Sequence, residues 1–304
     1  MIVTRAEDFL EAARSNFPAA DLPATARAAF MVSPLGFSLA AESASDNRYM
    51  DLDDAPDPAR ALAEHAELAR RLSADIPVVT FPGDPAAPDG VFPNNAFATI
   101  PGRLIVGRMR HAVRQRETER ADIRGWFADL LGREIVDLSR QALVAELTGA
   151  LVIDRARGIG YCGLSERCDM AGARAMHEAF KLRLTYCFEL APGEYHTNVV
   201  LAILAGRAAI IAASGFRDRA AAEAIASVHP SAALWISEQQ KNAFAANAIA
   251  ISANRAWMSQ RAADSLTPEQ RNLLHSNQFE VAAVELGEIE KAGGSLRCCV
   301  AELF

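Results

Sequence analysis

Short apolar runs alternate along the chain with stretches of helical periodicity. Residues 30–33, 77–81, 103–108 and 134–138 are brief, largely apolar and rich in Val, Ile or Phe, and each reads as a strand. Between them, Leu62, Ala66, Ala69 and Leu72 recur at helical spacing. So do Ile123, Trp126, Phe127 and Leu130 within the charged stretch 117–131, which Gly132 would stop. Residues 1–28, alanine-rich with alternating charge, read as a leading helical segment. Farther on, strands at 150–154 and 158–162 are joined by a turn and followed by a helix at 170–181 and a strand at 184–188. The same succession returns at 199–204, 208–212, 217–227 and 233–236. It recurs more loosely at 248–252, the helix after Pro268, and 280–286. A strand-strand-helix-strand unit thus repeats in pattern though not in sequence, which predicts an α/β or α+β fold.

Two stretches break the alternation. Residues 51–60 are rich in Asp and Pro and read as a loop. Residues 82–95 carry prolines at 82, 85, 88 and 93 and read as a longer irregular loop, of the kind that often serves function. The string GIGYCG at 158–163 spells a dinucleotide-binding motif, but it lies in a predicted hairpin and not between a strand and a helix, so nucleotide binding is set aside.

Composition narrows the class. Of 304 residues, 51% are hydrophobic and 23% charged, as in globular proteins, and the net charge of −7 disfavours nucleic acid, whose phosphates need a basic face. A cationic small molecule is compatible with that balance. The beginning of the sequence is charged early and lacks a long apolar run, against an ordinary signal peptide. The most apolar tract, 199–213, is broken by Arg207 and too short to span a bilayer. A cytoplasmic protein without membrane partners is the expectation. The five cysteines, Cys162, Cys168, Cys187, Cys298 and Cys299, read as free thiols, and without a CxxC pair a structural zinc site has little support.

Candidate chemistry gathers at few places. In the stretch AGGSLRCC, Arg297 sets a positive charge beside Cys298, which favours a thiolate, a strong nucleophile. The plain alternative is a buried structural cysteine. His196 stands in a polar loop at the mouth of a predicted strand. His65 and His177 read as surface residues, His111 as part of a solvated run with Arg108, Arg110 and Arg114, and His229 and His275 as ordinary. Glu146 is an acid among apolar residues, and Asp89, Asn94 and Asn95 end the proline-rich loop. An exposed glutamate and turn-forming residues are the bland readings there.

These residues sit in strings that resemble the guanidine-modifying enzyme superfamily of amidinotransferases, arginine deiminases and dihydrolases, most closely its bacterial arginine-deiminase-related, citrulline-hydrolase-like branch. The strings are FSLAAESASDN from Phe37, PDGVFPNNAF from Pro88, ETER from Glu117, ELTGALVIDR from Glu146, YHTNVV from Tyr195, ISEQQKNAFAAN from Ile236, MSQRAADSLTPEQ from Met258 and GGSLRC from Gly293, and they cover nearly the whole chain in order. The resemblance implies a pentein: a pseudo-fivefold α/β-propeller of ββαβ units, with residues 1–304 forming one catalytic domain. It implies Cys298 as nucleophile, His196 as general acid/base and Glu146 as the catalytic glutamate, with Asp89, Asn95, Asn47, Asn198 and Arg297 around the substrate. No metal or organic cofactor is implied.

The chain also departs from that pattern. Asn95 and Asn198 stand where deiminases carry aspartates, which shifts the expectation towards a dihydrolase or a hydrolase of citrulline-like ureas. Leu147 stands where glycine is usual, Cys299 where methionine is frequent, and Ala40 replaces a polar residue. The expected function is a cysteine-dependent hydrolase of a guanidino or ureido amino acid that releases ammonia. The alternatives are an amidinotransferase needing an amine acceptor, or a non-catalytic binder of the same fold. A homo-oligomer is compatible with all three.

Overall fold

The computed structural model describes residues 1–14 and 23–304. Among these residues, five small sheets carry a mixed α/β fold. In Phe97–Ile100, Arg103–Val106 and Glu134–Asp137 the first two strands pair antiparallel and the third lies parallel to the second, after a helical crossover. The hairpin is closed by Pro101 and Gly102, with Gly102 at φ +80°, the residue pair that a tight type II turn requires.

That arrangement recurs in Leu151–Asp154, Ile159–Leu164 and Leu184–Glu189, where Ile2–Val3 adds a fourth strand. It recurs in Leu201–Leu204, Ala208–Ile211 and Ala233–Trp235. It also recurs in Ala301–Leu303, Ala28–Val32 and Val78–Phe81, where the late strand joins the early ones. The fifth sheet keeps only the parallel pair Arg255–Ser259 and Glu280–Val284; its antiparallel member shrinks to a single bridge from Ile249 to Trp257.

The strand at 248–252 expected from the pattern is therefore that bridge, while Phe97–Ile100, Arg255–Ser259 and Ala301–Leu303 are additional strands. The leading helical segment becomes Ile2–Val3 and the helix Ala6–Arg14; the part of it at 15–22 lies outside the described residues.

Helices flank the sheets. Pro58–Leu72 begins where Asp57 accepts the Ala59 and Arg60 N–H groups and proline takes the first turn, so the loop expected at 51–60 ends early. Its buried face is Ala61, Glu64, His65, Leu68 and Leu72, turned from the expected one; Leu62 is exposed. The Glu64 carboxylate accepts the N–H groups of Glu288 and Ile289 at the start of Gly287–Glu290, which keeps a charged residue inside. The stretch 117–131 is not one helix but Ala112–Thr118, Ala121–Gly125 and the wider turn Trp126–Leu130, with Leu130 exposed. Among the described residues, no helix is long and apolar enough to cross a membrane.

A short helical turn or tight loop leads into the first strand of each unit. Pro93–Asn95, Leu147–Ala150, Thr197–Val200 and Leu296–Cys299 do so in four of them. In the fifth, residues 244–247 precede Ile249, with Asn247 N–H donating to the Phe244 carbonyl. Sheet geometry thus fixes where these lead-in residues sit.

Candidate active site

Glu146 and His196 each stand at the head of a lead-in turn, and both are fully buried. His196 Nε2 lies 2.8 Å from Glu146 Oε2. Glu146 also accepts the Arg110 backbone N–H at 3.1 Å and faces Arg167 at 3.2 Å and Arg114 at 3.5 Å. Burial alone would raise the Glu146 carboxyl; Arg167, the His196 hydrogen bond and Arg114 outweigh it and hold the group well below the usual carboxylate range. Burial pushes the His196 imidazole down, opposed by Glu146 and assisted by the two arginines. Its Nδ1 has no partner among the described residues.

Cys298 is buried in the turn Leu296–Cys299. Its Sγ lies 3.5 Å from Asn198 Nδ2 and 3.3 Å from Asn247 Nδ2. Cys299 points elsewhere, towards the Ser295 carbonyl at 3.6 Å, and burial pushes its thiol well up. All five cysteines are free.

Cys298, Asn47, Asp89, Asn95, Arg114 and Arg167 meet around one cavity of about 10 Å³, room for about one water, with Tyr195 among its other walls. Asp89 Oδ2 accepts from Ser43 at 2.5 Å, while its Oδ1 has no partner among the described residues. Burial raises the Asp89 carboxyl, with Arg114 and Ser43 opposing. Asn95 Oδ1 is likewise unpartnered among the described residues and sits beside His196 across Gly149. Asn94, next to it, is buried with both side-chain polar atoms unpartnered among the described residues. Asn47 Oδ1 accepts the Tyr49 N–H, and its amide reaches the Ala292 and Gly293 carbonyls at 3.5 Å. Gly293 has φ +72°, and a Cβ there would come within 2.4 Å of Asn47 Nδ2. The Tyr195 hydroxyl donates to the Gly293 carbonyl.

The structure does not bring every expected residue to this cavity. Glu146 and His196 are not among its walls; Arg114 and Arg167 link Glu146 to them, and His196 lies across Gly149 from Asn95. Asn198 reaches the sulfur from another side, and lines a separate cavity with Arg297. Arg297 departs from expectation: its guanidinium turns to the Val300 carbonyl at 2.7 Å, at the end of its own turn, and to Glu302 at 2.9 Å, on the strand that follows.

Arg114 is not solvated either, and His111 is only partly so. Arg114 is buried in a bidentate pair with Glu117 at 2.7 and 2.8 Å, and His111 binds Asp46 at 3.0 Å. Burial pushes the Glu117 carboxyl up to about 7 against the pull of Arg114. His65, expected at the surface, and His229, expected to be an ordinary loop or helix residue, are both buried.

Arg114, Arg167 and Asn247 carry no role in the sequence reading. Arg167 is almost fully buried and binds Asp46 and Glu146. For Asn247 a signal did exist: Asn95, Glu146, His196, Asn247 and Cys298 follow one another at intervals of 51, 50, 51 and 51 residues. Among the described residues, no group of three or more His, Cys, Asp or Glu is placed to hold a metal ion.

A family model described as N,N dimethylarginine dimethylhydrolase, eukaryotic, matches residues 33–304. No curated protein matches the chain. Several solved structures share the fold. A substrate-bound cysteine-to-serine mutant of the N-terminal domain of ArgZ, an arginine dihydrolase of the cyanobacterial ornithine-ammonia cycle, has a TM-score of 0.78 at 20% identity, covering 90% of this chain and 97% of that one. Complete ArgZ gives 0.79 at 20% identity over 90% of this chain, which spans 40% of its length. A dimethylarginine dimethylaminohydrolase adduct with 4-chloro-2-hydroxymethylpyridine gives 0.68 at 20% identity, covering 91% and 99%.

Proposed function

Since the chain belongs to the N,N-dimethylarginine dimethylhydrolase family, we propose that it is a cysteine-dependent hydrolase that cleaves a C–N bond of a guanidino amino acid, arginine or an N-methylated arginine. One observation carries this reading. A thiol and two acceptors lacking partners among the described residues, Asp89 Oδ1 and Asn95 Oδ1, border one buried cavity beside the His196–Glu146 pair. A planar cation with N–H groups on its edges would fill those acceptors. Among the described residues the nearest ion-pair partner of the buried Asp89 carboxylate is Arg114, at 4.0 Å, so a bound guanidinium would offset its desolvation. The cavity walls must part to admit such a substrate, which is much larger than one water.

In this reading the Cys298 thiolate attacks the guanidinium carbon. A C–S bond forms, a C–N bond breaks, and His196 supplies the proton with which ammonia or an alkylamine leaves. Water then adds to the thiouronium carbon, His196 takes its proton, and the C–S electron pair returns to sulfur as the ureido product departs. General acid–base help of this kind contributes about 10²–10⁴-fold. Glu146, surrounded by Arg110, Arg114, Arg167 and His196, orients the imidazole; the substrate's N–H groups fall to Asp89 and Asn95.

The five sheets are read as blades of a pseudo-fivefold propeller, with the chain as one catalytic domain. A second reading, a dihydrolase or citrulline hydrolase, draws on the amides Asn95 and Asn198, which can both donate to and accept from a neutral ureido group, where ionised aspartates can only accept. Structural neighbours named as arginine dihydrolases suit it too.

The test is incubation with arginine, N-methylated arginines and citrulline, assaying ammonia, alkylamine, citrulline and ornithine. Citrulline from a guanidino substrate supports the first reading, and ornithine the second. Turnover only with an added amine would mean amidino transfer. No turnover by the folded protein, or full turnover by Cys298→Ser, would remove the cysteine hydrolase.

A further inference from the structure

Each of the five units presents one residue just ahead of its first strand or bridge. Four of these, Asn95, Glu146, His196 and Cys298, have a place in the reading above. The fifth, Asn247, falls in step with them at 51-residue intervals from His196 and to Cys298. It is fully buried, and apart from Cys298 no ionisable side chain approaches it within hydrogen-bond distance among the described residues.

The orientation of its amide is set by the backbone. Oδ1 accepts the Arg297 N–H at 3.0 Å, so the NH2 end must face the other way, where one contact is the Asn198 carbonyl at 3.0 Å. Two N–H bonds leave that nitrogen. With one given to the carbonyl, the second is available to Cys298 Sγ, 3.3 Å away. Asn198, by contrast, has both its Nδ2 and its Oδ1 within reach of the sulfur, at 3.5 and 3.9 Å, and so has no comparable fixed polarity.

We propose that Asn247 is a catalytic residue, an N–H donor to the sulfur wherever that sulfur carries negative charge. The proposal rests on the reading of Cys298 as nucleophile. In the attacking step the charge leaves sulfur as the C–S bond forms. In the hydrolytic step it returns as that bond breaks, and a fixed donor lowers the cost of both the resting thiolate and the departing one. A neutral amide does this without placing a cation against the incoming guanidinium, which lysine or arginine would.

The test is Asn247→Asp, which keeps an acceptor for the Arg297 N–H and removes the donor to sulfur. Two readouts separate a chemical from a merely structural role: the pH profile of iodoacetamide alkylation at Cys298, followed on its peptide, and the fraction of enzyme trapped as a covalent adduct during turnover. Expected are an alkylation profile moved about one unit to higher pH and a kcat lowered about tenfold or more, with covalent adduct accumulating. If this variant does not fold, Asn247→Ser, which withdraws the amide from the sulfur, is measured in the same way. A folded variant whose alkylation profile and adduct fraction match the parent overturns the proposal, even if its stability is lower. Should Cys298→Ser be inactive while Asn247→Asp behaves as the parent, only the role of Asn247 falls. Should Cys298→Ser remain active, the nucleophile assignment falls with it.

Discussion

Gly149 separates Asn95 from His196, and the substitution Gly149→Ala tests whether their spacing matters. Its φ is not in the left-handed region, so alanine is acceptable to the backbone. The added Cβ, however, would lie 2.4 Å from Asn95 Oδ1 and 2.7 Å from His196 Cε1, against the 3.4 Å at which ordinary contact begins. The two side chains must therefore retreat by roughly 1 Å and 0.7 Å, and misplacement on that scale costs about 10²-fold in rate. Neither has free space, since both are buried and His196 is tied to Glu146 at 2.8 Å. The expected outcome is a kcat/KM lowered about 10²-fold, or about 2.7 kcal/mol in the barrier. Stability should move less, because alanine's better helix propensity of ~1 kcal/mol offsets part of an overpacking cost of about 1–3 kcal/mol. Gly125→Ala serves as a control, since a Cβ there meets only the end of Asp129, at 3.3 Å. The assay is steady-state turnover of the accepted substrate beside a thermal melt. A folded Gly149→Ala enzyme within threefold of the parent would mean that the spacing of Asn95 and His196 does not govern turnover.

Acid stability depends on two buried histidines, His65 and His229, whose imidazoles burial pushes down to about 4. The unfolded chain binds those protons more readily, so their stabilising contribution is full above about pH 6.5 and is lost as pH falls towards 4, up to roughly 3 kcal/mol each. Urea melts should show that decline, and His65→Leu should flatten it; an identical slope in the variant would count against the assignment. Arg114→Met leaves Glu117 and Glu146 without a shared cation and should cost about 3–5 kcal/mol by chemical denaturation. Adding Glu117→Gln should restore part of that loss, and no recovery would mean that the pair is not the cause. Gly293→Ala forces a side chain into a left-handed position against Asn47, so it should cost at least about 1–2 kcal/mol and reduce turnover. An unperturbed melt would argue that the turn relaxes freely.

The sequence was most informative where structure is local. Short apolar runs located most strands, although Phe97–Ile100, which pairs across the Pro101-Gly102 turn, went unread. Helix faces were harder to read. On Pro58–Leu72 the buried stripe contains Glu64 and His65, a choice made by the N–H groups of Gly287–Glu290, more than 220 residues away. The same non-locality hid Arg114 and Arg167, which look like surface cations until the carboxylates of Glu146 and Asp46 arrive from other segments. Cys298, His196 and Glu146 drew notice through their immediate neighbours and took roles from motif resemblance, but Asn247 closes a string with no chemical label of its own. Its meaning emerges from its stride of 51 residues and its contact with the sulfur.

The sheet that pairs Ala301–Leu303 with Ala28–Val32 has a consequence for how activity is acquired. This pairing joins segments about 270 residues apart, and contacts so distant in sequence form late and slowly. The turn carrying Cys298 leads into that strand through Val300, so this union is one of the contacts that fix the thiol in position. A nascent or partly folded chain could already hold the His196–Glu146 pair and still have its sulfur adrift. Recovery of thiol reactivity during refolding should therefore track closure of this last seam rather than the appearance of helix.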